Sequence, residues 1–138
     1  MKKMIVVIIV FLILFIYIDN TNKFTLLDYF EGEYTAYTST KSDNSVDLGF
    51  CYMNSKANVK NVVGESIKIE NFEPASAIKT LKAKIVKTEY LDDGTTVIYA
   101  ITNIINNKVI IDNKYVNLQI AHKDAYSIIG WPLILGSF

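Results

Sequence analysis

Fifteen consecutive apolar residues, Met4 to Ile18 (MIVVIIVFLILFIYI), stand near the start of the chain, after Lys2 and Lys3 and before Asp19-Asn20-Thr21-Asn22. Thirteen of them are Ile, Val, Leu or Phe. At roughly −0.3 to −0.6 kcal/mol each on an insertion scale, they sum to about −4 to −8 kcal/mol in favour of a bilayer. As a helix of about 1.5 Å per residue the run spans roughly 22 Å, short of a hydrocarbon core of about 30 Å. Snorkelling of Lys2 and Lys3, interfacial placement of Tyr17 and local thinning of the bilayer offset the shortfall.

The run is read as an uncleaved signal anchor. A cleaved signal peptide is the rival, because apolar regions of this length are usual there. Cleavage needs small residues just after the run, and Ile16 to Asn20 contain none; the first alanine is Ala36. A buried core helix is the third alternative. The paired lysines predict a cytoplasmic N-terminus, a single pass through the cell membrane and a domain outside, or a secreted domain if the leader is removed. The expected organisation is anchor over residues 1–19, juxtamembrane spacer over 20–32 and one extracytoplasmic domain over 33–138. Phe24, Leu26, Leu27, Tyr29 and Phe30 make the spacer apolar enough to lie on a membrane or dock on the domain.

Without the leader about 120 residues remain, enough for one core. Basic and acidic residues number 14 each. Every basic residue is lysine, which weakens a nucleic-acid reading, since arginine is the usual bidentate reader of guanine and phosphate. Setting Lys2 and Lys3 aside leaves a net charge near −2. The single cysteine, Cys51, has no partner for an intramolecular disulfide and reads as a buried thiol.

From Glu33 onward the pattern alternates as strands do. Glu33–Thr40, Asp47–Met53 and Val62–Glu70 read as strands, the last with Ile67 and Ile69 on one face and Lys68 and Glu70 on the other. Pro74 starts a helix predicted to reach Lys84, with Ala77, Ile78, Leu81 and Ile85 as its apolar stripe. Val86–Tyr90, Thr95–Thr102, Val109–Ile111, Tyr115–Ala121 and Tyr126–Gly130 complete the strands, with Asp92-Asp93-Gly94 as a hairpin turn. Strands joined by hairpins and one helix predict an α+β domain, with a curved, mainly antiparallel sheet and one packing helix.

Chemistry-bearing residues are sparse. His122, beside Asp124, is the one histidine, and no paired cysteines exist to complete a zinc site. Glu89, Asp92 and Asp93 cluster at a turn whose geometry accounts for the aspartates. Ser66 lacks a G-x-S-x-G elbow. No catalytic, cofactor or metal residues are therefore assigned, and no small-molecule cofactor or nucleic-acid partner is expected. The apolar segment Ile128–Leu135 is either core or offered to a partner, in which case Tyr126, Trp131, Pro132 and Leu133 are the binding candidates.

In Gly64-Glu65-Ser66, the Pro74–Lys84 helix, Val86–Tyr99, Val116–Ala121 and Ile129-Gly130-Trp131-Pro132 the chain resembles small membrane-anchored Firmicute proteins of the YwmB family. The resemblance covers about residues 33–138. It implies a fold like that of the TATA-box-binding protein and carries over no functional residues. The expected role is a non-enzymatic, membrane-tethered domain that binds a protein or envelope component. An envelope enzyme or accessory using carboxylates such as Glu89 and Asp93 is the second reading, and DNA binding through the sheet the third.

Overall fold

In Val62–Glu70 the two-residue period places Glu65, Ile67 and Ile69 on one side and Ser66, Lys68 and Glu70 on the other. The computed structural model describes residues 24–42, 45–52 and 62–134, and the apolar run 4–18 lies outside them. No helix among the described residues is long and apolar enough to cross a membrane. A 3-10 turn, Leu26–Asp28, precedes β1 (Glu33–Ser42), β2 (Ser45–Tyr52) and β3 (Val62–Glu70). Helix α1 (Pro74–Thr80) leads to β4 (Lys84–Tyr90), β5 (Thr96–Ile101), β6 (Val109–Ile111), β7 (Lys114–Val116), β8 (Leu118–Lys123) and β9 (Tyr126–Trp131).

Seven strands form one sheet in the order β2-β1-β3-β9-β8-β5-β4, and β6 and β7 pair separately. Among the described residues every pairing is antiparallel and there is one α-helix, which makes the fold α+β. One face carries Ile67, Ile129, Ile120, Leu118, Ile98 and Ala100. Leu26 and Phe30 from the N-terminal segment, Ala77 from α1, Leu81 at its C-terminal cap and Ile105 close over it. Leu26 and Leu81 are fully buried, each contributing about 1.5–3 kcal/mol of transfer free energy.

Helix α1 is shorter than the expected Pro74–Lys84. The amide of Ala83 reaches the carbonyl of Ile78 (2.9 Å) and that of Lys82 reaches Lys79 (3.2 Å), with Lys82 at φ 48°. This is the Schellman pattern, with lysine where glycine is usual. Ile85 consequently belongs to β4 and is 49% exposed, instead of extending the helical stripe.

The expected strand Tyr115–Ala121 is broken at Asn117, which is fully buried. Its Nδ2 donates to the carbonyls of Thr102 and Ile105 (2.7 Å each), and its Oδ1 accepts from the Thr102 amide (2.9 Å). The side chain satisfies the loop that would otherwise bury orphaned backbone groups, and the chain passes there from the small sheet to the large one.

Candidate functional site

Glu65 faces into the core, 2% exposed, and both of its oxygens are engaged. Oε1 accepts from the hydroxyls of Thr25 (2.7 Å) and Tyr34 (2.5 Å). Oε2 accepts from the Leu26 amide (2.8 Å) and from Nε1 of Trp131 (2.6 Å), the residue opposite Glu65 in the β3–β9 register. Four donors aimed at a buried carboxylate make charge-assisted bonds, the kind that offsets the cost of desolvating a charge. Between them they fasten the N-terminal segment to three strands. Phe24 adds an edge-on contact with Trp131 (5.8 Å) and a stacked one with Tyr29 (5.6 Å). Gly64 permits the close approach, since a Cβ there would stand 2.6 Å from the Trp131 carbonyl oxygen.

The four partner-binding candidates are divided by this arrangement. Trp131 is 6% exposed and committed to Glu65. Tyr126 lies at the other end of β9, roughly 16 Å away at the rise of an extended strand. Its half-buried ring carries the Lys68 ammonium 4.3 Å from the centroid. Pro132 and Leu133 are half-buried, and next to them the Ile134 amide donates to Oε1 of Gln119 (2.7 Å). Around Tyr126 stand the ion pairs Lys68–Glu70 (3.3 Å) and Lys123–Asp93 (3.6 Å). Tyr90 (80% exposed) and Leu91 (40%) occupy the same end of the strands.

The other face carries a polar network. Lys87 pairs with Asp112 at the β6–β7 turn and with Glu89, both at 2.5 Å, and the Tyr99 hydroxyl donates to Glu89 (3.3 Å). Asp112, then Glu89, holds the Lys87 ammonium well above its ordinary range, and Lys87 holds Asp112 below its own. Burial, then Glu89, raises the Tyr99 phenol. Hydrogen bonding from Thr95, followed by Lys123, keeps Asp93 low. Every shift moves its group away from neutrality and keeps it in its usual charge state. Glu89 and Asp93 thus bind Lys87 and Lys123, respectively.

His122 lies in β8, half-buried, with Nδ1 2.8 Å from the Ser127 hydroxyl. Because that hydroxyl gives its one proton to the Phe72 carbonyl (2.6 Å), Nδ1 carries a proton of its own. Asp124 is in the turn beyond. The Ser66 hydroxyl pairs with the Tyr37 hydroxyl (2.9 Å) on the face opposite Glu65. Among the described residues no group of three or more His, Cys, Asp or Glu could hold a metal ion. Cys51 is in β2, opposite Ala36 in the register.

Sequence reasoning passed over Glu65 and Asn117. A signal existed for Glu65, because it is in phase with Ile67 and Ile69 and so on the apolar face. No family model, curated protein or solved structure matches the chain.

Proposed function

We propose that the chain is a membrane-tethered extracytoplasmic domain that binds a protein or a component of the cell envelope. The apolar run with its two preceding lysines supports the tether. The observation that carries the reading is the fastening of Thr25 and Leu26 by Glu65. Chain that follows the run so closely is built into the core, as suits a domain held at a fixed place on a surface.

Tyr126 is the partner candidate with an accessible ring, and it stands with Lys68 and Lys123 at one end of the strands, on the face opposite Tyr90. Aromatic rings beside paired charges are the usual anchors of a protein interface. Nucleic acid is not included, because every basic residue of the chain is lysine and arginine is the usual bidentate reader of guanine and phosphate.

Protease added to intact cells expressing the full chain tests the reading. Cleavage of the domain without lysis, with the remnant retained in the membrane fraction, is the expected result. Protection until lysis, with the protein released as a soluble species, would overturn it. Crosslinking from position 126 then captures the partner.

A further inference from the structure

Residues 19–23 alone separate the apolar run from Phe24. Six Cα steps of at most about 3.6 Å limit the span from Ile18 to Phe24 to roughly 20 Å. A domain of about a hundred residues has a radius of gyration near 13 Å and is wider than that reach. Phe24 is also held in place, by Trp131 on one side and Tyr29 on the other, while its neighbours Thr25 and Leu26 are bound by Glu65. Despite its stacking on Phe24, Tyr29 is 41% exposed.

The apolar run falls short of a hydrocarbon core by about 8 Å. Such a mismatch is relieved by drawing flanking groups toward the bilayer, and aromatic rings settle in the interfacial zone. From Phe24 the chain runs along β3 toward its far end, where Phe30 meets Phe72 and Glu33 pairs opposite Lys68. The exposed carboxylates of Glu31 and Glu33 follow that course away from Phe24.

We infer that the Phe24–Tyr29 aromatic pair is a seat for the lipid interface, a contact of rings with lipid and not of basic residues with anionic headgroups. The domain stands on the bilayer with its Trp131 end down. Tyr90, which the register places level with Ile69, four positions along β3 from Glu65, points to the outside. The inference rests on the tether proposed above.

The test places an environment-sensitive fluorophore on the full chain at Tyr29→Cys or Tyr90→Cys, each in a Cys51→Ala background. The labelled protein is reconstituted into phosphatidylcholine vesicles with or without headgroup-proximal spin-labelled lipid. Flotation of the vesicles reads the tether, and quenching reads the seat. Native emission of Trp131, the only tryptophan, checks that each variant is folded. Co-flotation with severalfold stronger quenching at position 29 than at 90 is expected. Co-flotation with equal quenching, or stronger quenching at 90, would overturn the seat and leave the tether standing. Protein that does not float would overturn both.

Discussion

The indole Nε1 of Trp131 donates to Oε2 of Glu65 at 2.6 Å across the β3–β9 pairing, and the same oxygen accepts the Leu26 amide. One carboxylate oxygen thus faces two N–H groups that can only donate. The other faces the hydroxyls of Thr25 and Tyr34, which can reverse their roles.

That asymmetry ranks substitutions at position 65. Glutamine can turn its oxygen to the two N–H groups and its amide to the hydroxyls, so Glu65→Gln should cost about 1–2 kcal/mol. Glu65→Ala leaves buried donors unpaired and opens a cavity, and should cost about 3–5 kcal/mol. Urea denaturation followed by Trp131 emission checks the order; equal losses for the two variants would contradict it.

Asn117 makes three buried hydrogen bonds to the 102–105 loop, so Asn117→Ala should cost about 3 kcal/mol or more. Asn117→Asp should be worse, because a carboxylate would face the carbonyls of Thr102 and Ile105. Thermal unfolding by circular dichroism measures both.

Lys82 sits at φ 48° in the Schellman turn. Lys82→Gly should therefore raise stability by about 0.5–1 kcal/mol, against the usual trend for glycine. A lower denaturation midpoint would refute the local-strain account.

Gly64 and Gly94 separate two uses of glycine. A methyl group at Gly64 meets the Trp131 carbonyl, a backbone atom, and Gly64→Ala should cost about 1–3 kcal/mol. Gly94 has φ +83° and open space around it, so Gly94→Ala pays only the left-handed penalty of roughly 1–2 kcal/mol. Hydrogen exchange across β3 and β9 should respond to the first and not the second.

The Lys87–Asp112 contact fixes how the β6–β7 turn responds to pH. Asp112 is held below its ordinary 3.8, so the contact adds stability above that pH and loses it as pH falls through the lower folded value. Lys87 is held above 10.5, so its share is present below that pH and lost only in stronger alkali. The protection factors of amides 109–116 should fall in acid and in Asp112→Asn, with little change in the global midpoint. Uniform protection across pH would discard the contact.

Local signals were readable where the determinant is local. Alternation outlined Val62–Glu70, and Asp92-Asp93-Gly94 marked the β4–β5 turn. Pro74 marked the start of α1, but its end was hidden: Leu81 keeps the helical period and no glycine follows. Asn117 breaks a strand-like run for the sake of partners 12 and 15 residues away, a separation that periodicity does not register. Glu65 is in phase with Ile67 and Ile69, which shows its face, but its role depends on partners far along the chain. The donors that make it a hub come from positions 25, 26, 34 and 131.

The order of the large sheet also has a kinetic corollary. Among the described residues, strand β9, the last in chain order, lies between β3 and β8 and alone joins β2-β1-β3 to β8-β5-β4 by backbone pairing. A polypeptide halted before Tyr126 holds two half-sheets with no ladder between them. Closure thus waits on one late insertion, and the chain stays pliable while it is delivered.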